Sequence, residues 1–100
     1  MDGRMHATVH LVLNDFGRLG IALVETDPMH ADQETIVCQM IAGQYDRPIR
    51  VDAYNILVGR AWDASRDIAR LIAKRCEPGC MPPGVRAFCE RNGALPRQAA

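Results

Sequence analysis

The side chains best suited to soft-metal or redox chemistry in this 100-residue chain are its four cysteines, Cys38, Cys76, Cys80 and Cys89. A zinc site needs four converging ligands, commonly supplied by CxxC or HxxxH pairs. Cys76-x3-Cys80, with Cys89 further on, is one residue too wide for that knuckle, and the fourth ligand would have to be Cys38 or a distant histidine. The CxxC spacing that lowers a thiol pKa is missing as well. Small apolar side chains packed on helices explain these residues more simply. With no export signal at the N-terminus they read as reduced thiols, not as two disulfides. No metal and no cofactor is implied.

The remaining candidates are weighed in the same way. His6 and His10 share one face of an expected strand but stand about 13 Å apart by strand rise, too far for one ion. His30 falls in an expected first helical turn, an ordinary surface position. Gly17-x-x-Gly20 lies between two strands and lacks the helix N-terminus and lysine of a phosphate loop. Asp52 and Tyr54 offer an acid–base pair beside Asp46, Asn55 and Asp63, yet no histidine or strong nucleophile is tied to them by spacing. Ion pairs with Arg47 and Arg50, or helix caps, account for those carboxylates. Arg66, Arg70 and Lys74, flanked by Arg60 and Arg75, form a basic row that could touch phosphates, and Ser65-Arg66-Asp67-Ile68-Ala69 has the look of a helix-turn-helix entry. Asp63 and Asp67, each three residues before an arginine of that row, offset its charge locally. A sequence pI near 6.8 also sits below the range of dedicated nucleic-acid binders.

Positioning these residues requires a hairpin, three helices and one further strand. His6–Leu13 alternates, with Ala7, Val9, Leu11 and Leu13 on one face and His6, Thr8 and His10 on the other. Asn14-Asp15-Phe16-Gly17 is turn chemistry, and Leu19–Glu25 resumes a strand whose larger apolar face is Leu19, Ile21 and Leu23. Asp27-Pro28 reads as a helix start; Met29, Gln33, Ile36, Val37, Met40 and Ile41 follow at helical spacing, and Gly43 ends the helix. Gly43–Asn55 is the pivot of the chain: a helix stop, a polar turn, then a strand opened by Pro48. Ile49, Val51 and Ala53 face one way along it, and Arg50, Asp52 and Tyr54 the other. Asp63 or Ser65 caps a second helix with Ile68, Leu71 and Ile72 on its apolar side, ended by Glu77-Pro78-Gly79. Pro82-Pro83-Gly84 starts a third, carrying Val85, Phe88 and Cys89 and closed by Asn92-Gly93. The expected fold is α+β in the order ββαβαα. It is a single domain over 1–93, with a small three-stranded mixed or antiparallel sheet, helices on one face and a flexible tail over 94–100.

Composition fits a compact domain: 48% of residues are apolar and 24% charged. No apolar run approaches the ~20 residues of a membrane span, so a cytoplasmic protein without a membrane partner is expected. Formal net charge is zero but unevenly spread. Residues 1–55 hold eight acidic against four basic side chains, and residues 56–100 hold four against eight. Such a dipolar layout bears on association, not on fold.

Glu25-Thr26-Asp27, Gly43-Gln44-Tyr45, Pro48-Ile49-Arg50-Val51, Asn55, Trp62-Asp63 and Ser65-Arg66-Asp67-Ile68-Ala69 together resemble a family of small α-proteobacterial proteins of unknown function. The likeness covers about positions 16 to 73. It implies no activity and carries over no catalytic residue; Ile56-Leu57-Val58 and the cysteine-rich end beyond Arg75 depart from it. The function expected is a small non-enzymatic protein-binding or regulatory module, dimeric because a small sheet leaves edges to be paired. Tyr45, Arg47, Tyr54 and Trp62 are its expected contact residues, since exposed Tyr, Trp and Arg are favoured anchors and core packing is their competing role. The alternatives are a nucleic-acid regulator working through Arg66, Arg70 and Lys74, and a small enzyme working through Asp52 and Tyr54.

Overall fold

A computed structural model describes residues 8–24 and 31–95. His6, the Asp27-Pro28 helix start, His30 and residues 96–100 lie outside them. The described chain is α+β, with the expected ββαβαα order extended by one strand. Strands β1 (Thr8–Asp15), β2 (Ile21–Val24), β3 (Pro48–Asn55) and β4 (Arg60–Asp63) form one antiparallel sheet in the order β2-β1-β3-β4. Helices α1 (Gln33–Ile41), α2 (Ser65–Arg75) and α3 (Pro83–Arg91) complete it.

The strand the sequence did not announce is β4. Its four residues, Arg60-Ala61-Trp62-Asp63, are exposed throughout, so no alternation of buried and exposed positions marks them. Asn55 folds the hairpin that brings β4 back. Its Oδ1 accepts the Leu57 and Val58 N–H groups at 3.0 and 3.2 Å, its carbonyl accepts the Gly59 N–H at 2.9 Å, and Gly59 takes the left-handed φ of 67°.

Helix α1 is capped by Asp32. Asp32 is extended, with φ −75° and ψ 160°, and its carboxylate accepts the Thr35 N–H at 3.1 Å and the Thr35 hydroxyl at 2.7 Å. The far end closes as expected at Gly43, whose φ is 81°. Gly43 N–H donates to Met40 O at 3.0 Å and Gln44 N–H to Gln39 O at 3.0 Å, which satisfies two of the helix's last carbonyls.

All three helices cover one side of the sheet. The core joins Val12, Val51 and Ala53 from the strands to Ile36, Val37 and Met40 of α1, Ile68 and Ile72 of α2, and Val85 and Phe88 of α3. Strand β1 turns its more polar face to this core. His10, Val12 and Asn14 are buried, whereas Val9, Leu11 and Leu13 are only half-buried on the opposite face. Each inward polar side chain has a partner: His10 Nδ1 lies 3.0 Å from Ala31 O, and Asn14 Oδ1 accepts the Arg47 N–H at 2.9 Å. Next to Asn14 the register with β3 slips by one residue, from Leu13↔Arg50 to Asn14↔Pro48. Ile49 is the extra residue of this bulge, beside a proline with no N–H to give the ladder.

Ser65, buried at the start of α2, pins that helix to the sheet by accepting the Val51 N–H at 2.8 Å. Asp63 accepts the Ser65 N–H at 2.9 Å, a capping bond made from one residue before the cap position. Burial alone would raise the Asp63 carboxyl; its bonds to Ser65 and the nearby Arg50 charge outweigh that and hold it below the usual range. Between α1 and α2, Arg75 pairs with Glu34 through two hydrogen bonds, one of 2.6 Å, on the exposed surface. Beyond α3 the chain still packs: Ala94 and Leu95 lie half-buried against the core, so the packed body reaches past residue 93. No helix among the described residues is long and apolar enough to cross a membrane.

Candidate functional site

The two apolar stripes visible in the hairpin sequence meet on the side of the sheet that carries no described helix. Cross-strand register sets Leu13 beside Leu23, Val9 beside Tyr54 and Leu11 beside Asp52. Partners directly opposite one another in an antiparallel pair share a face. Val9, Leu11, Leu13, Ile21, Leu23 and Tyr54 therefore form one continuous outer surface. Ile21 is 58% exposed, Leu23 51% and Tyr54 40%. Near its ends the turns add Leu19 on one side and Leu57 and Val58 on the other, all largely exposed. Arg50 and Asp52 stand within it as a two-bond ion pair, Nε to Oδ1 and Nη2 to Oδ2, both 2.8 Å.

On the helix side a cleft of about 370 Å³ opens between the first residues of β1, the start of α1, β4 and the first turn of α2. Thr8 and His10 come from β1, Asp32 and Gln33 from the α1 start, Trp62 from β4 and Asp67 from α2. Trp62 faces this side because its register partner is the buried Ala53. His10 is 6% exposed, and its backbone and ring are both held by Ala31, 21 residues away. Ala31 O lies 2.7 Å from the His10 backbone N and 3.0 Å from Nδ1. A carbonyl can only accept, so Nδ1 carries a proton, and the tautomer this bond selects has its lone pair on Nε2.

The expected contact residues do not form one patch. Tyr45 is buried, 4% exposed, and its hydroxyl donates to Gln39 Oε1 at 2.6 Å. Arg47 is exposed beside Asp46, with Nε 3.6 Å from its carboxylate. Tyr54 and Trp62 leave neighbouring strands on opposite faces, since Tyr54 pairs with Ala61 and Trp62 with Ala53. Period-two alternation decides this, and it could not be applied to a strand the sequence did not reveal. His10, Trp62 and Asp67, which share the cleft, were not grouped from the sequence for the same reason.

Asp52 and Tyr54 do share the outer face of β3, but Asp52 spends both carboxylate oxygens on Arg50. Arg66, Arg70 and Lys74 line the exposed side of α2 as the spacing requires, with Arg70 and Lys74 bordering a groove against Gln33 and Leu71. Residues 65–69 follow β4 and open α2. Gly17 and Gly20 sit around the 3₁₀ turn that joins β1 to β2, with φ of 68° and 90°.

The thiols have separate environments. Cys89 is buried with Sγ 3.8 Å from Ala69 O, Cys76 is half-buried at the end of α2, and Cys38 and Cys80 are exposed. Among the described residues no three His, Cys, Asp or Glu side chains are placed to hold a metal ion. Burial first, then the charges of Cys76 and Glu90, push the Cys89 thiol up to about 11. Reaction with an aromatic disulfide reagent at neutral pH is accordingly expected to label Cys38 and Cys80 within the mixing period. Cys89 should react only as fast as the protein opens. Rapid modification of Cys89 in the folded protein, read by peptide mass, would contradict this placement. Comparison of the chain with known protein families, with curated proteins and with solved structures finds no match in any of the three.

Proposed function

We propose that the chain is a small protein-interaction module that self-associates through the outer face of its sheet. One observation carries this reading: a sheet with helices on one side still places Leu11, Leu13, Ile21, Leu23 and Tyr54 together on the other. A surface of that kind with no function of its own would be an aggregation liability. Four strands at ~4.8 Å spacing and eight residues at ~3.4 Å rise give a face of at most roughly 500 Å² in projection. Side-chain relief and the apolar turn residues at both ends bring it toward the ~800 Å² per partner of a standard interface.

The occupant that fits is a second copy of this chain. Formal net charge is zero, so no overall repulsion opposes association of two copies. The centre of the face carries the Arg50–Asp52 ion pair, and the register adds two carboxylates at its margins, Asp15 opposite Ile21 and Asp63 opposite Asp52. The edge strands β2 and β4 have four residues each, which favours face-to-face packing over extension of the sheet at an edge. Four unpaired thiols suit a reducing compartment such as the cytoplasm.

Sedimentation equilibrium tests this. The parent protein should dimerise with a dissociation constant in the micromolar range or tighter. Leu23→Glu, on the outer face, should weaken the dimer at least tenfold, a loss of ~1.4 kcal/mol or more, without changing the far-ultraviolet circular dichroism. Arg70→Glu, on the helix side, should leave it unchanged. A parent that stays monomeric at about 100 μM, a weakness corresponding to less than ~5.5 kcal/mol of association, would end this reading.

A further inference from the structure

The cleft on the helix side has a chemistry of its own, independent of the outer face. None of the described residues lining it is a lysine or arginine, and two of them, Asp32 and Asp67, are carboxylates. Both stand at helix N-termini, where a carboxylate often has a capping role. Asp32 has one: it accepts the Thr35 N–H and hydroxyl. Asp67 does not. In a capping box its carboxylate would reach back to the Ala64 N–H, but that N–H already donates to Val51 O at 2.8 Å. Asp67 is exposed, so its acceptor oxygens are open to a ligand, although Arg70 and Lys74 border the adjoining groove that it also lines.

His10 makes the same point from inside the fold. Its Nδ1–H is committed to Ala31 O, and Nε2 has no hydrogen-bond partner among the described residues. Among those residues no sealed side-chain nitrogen or oxygen lacks a partner, so Nε2 is reached from outside, and the cleft is the surface its ring lines. His10 as a residue is only 6% exposed, so Nε2 is held in place, with no donor beside it among the described residues. Beside it lies the half-exposed indole of Trp62. Acceptors on β1 and α2 around one aromatic ring suit an organic cation, and the absence of a metal-holding trio among the described residues points away from a bare ion.

We propose that this cleft binds a guanidinium group, stacked on Trp62 and hydrogen-bonded by Asp67 and by Nε2 of His10. A guanidinium supplies five N–H donors in one plane, matching acceptors that arrive from separate elements, and its flat face stacks on indole where a compact ammonium would not. The group can come from a free small molecule or from an arginine side chain of a partner protein.

The chain's single tryptophan makes the test direct, because Trp62 fluorescence reports on the cleft alone. Titrations with agmatine and with N-acetyl-arginine-amide are each compared with butylammonium. Saturable change with a guanidinium compound, at dissociation constants of about 1 mM or below and at least tenfold tighter than for butylammonium, is expected. Asp67 is exposed, so Asp67→Asn should fold as the parent does and weaken binding about tenfold, the usual scale for a lost charge-assisted hydrogen bond. Agmatine alone saturating identifies a free ligand; equal binding of the arginine amide identifies a partner's side chain. Absence of saturation with both compounds, or equal affinity of the parent and Asp67→Asn, overturns the proposal.

Discussion

Gly84→Ala is expected to remove about 3 kcal/mol of stability or to prevent folding, while Gly79→Ala stays within about 0.5 kcal/mol of the parent. The two glycines are five residues apart and differ in what a methyl group would meet. At Gly79 nothing lies within 4 Å of the added carbon. At Gly84, in the first turn of α3, the carbon would stand 1.9 Å from Asp46 O, 2.9 Å from Asp46 C and 3.2 Å from Arg47 Cα. All three are backbone atoms, so no rotamer change relieves the overlap. Neither side can move alone. The Arg47 N–H is held by Asn14 Oδ1, Arg47 O accepts the Asp15 N–H at 3.0 Å, and Arg91 of α3 donates to Pro48 O at 2.8 Å. Alanine is the better helix former by about 1 kcal/mol, which acts in the opposite direction and is too small to win. Urea denaturation of the three proteins decides it. A Gly84→Ala midpoint at or above the parent's would mean that α3 does not sit this close to the start of β3.

Gly84 also shows what the sequence made legible and what it did not. Pro82-Pro83-Gly84 marks the start of a helix, and α3 begins at Pro83 as that signal requires. Nothing local says that the glycine is there for a close approach to residues 46 and 47, because that approach is tertiary. The same division holds along the chain. Gly43 and Pro48 delimited α1 and β3 through their own backbone preferences. The alternation of Val9, Leu11 and Leu13 against His10 was readable, but not which face the helices would cover. His10 and Asn14 are buried because Ala31 and Arg47, more than twenty residues away, supply their partners. β4 was invisible since an exposed four-residue edge strand has no buried face to pattern it. Both candidate surfaces depend on those two facts. The outer face exists because the larger apolar stripe of the hairpin is the one turned away from the helices, and the cleft exists because β4 carries Trp62 to the helix side.

The outer surface and the core can be separated by experiment, and Phe88→Ala does so. This substitution is expected to cost about 3–5 kcal/mol, the range for emptying a fully buried aromatic site. Phe88 is 0% exposed and heads the fully buried side chains in size. Stability of a domain this size is about 5–15 kcal/mol, so the loss takes a large part of the total. Phe88→Leu keeps most of the volume and should cost less than about 1.5 kcal/mol. The shape of the transition carries further information. Phe88 shares its cluster with Val12 and Val51 of the sheet and with residues of α1 and α2, so α3 belongs to the same cooperative unit. A single urea transition with a lower midpoint and an unchanged slope is therefore expected. An early loss of one helix's worth of circular dichroism, followed by unfolding at the parent's midpoint, would instead make α3 an appendage on an independent sheet. Leu23 and Ile21 lie on the other side of the sheet from Phe88. The folded fraction of Phe88→Ala should consequently self-associate with the parent's affinity, whereas Leu23→Glu should weaken association with little change in the unfolding of the monomer.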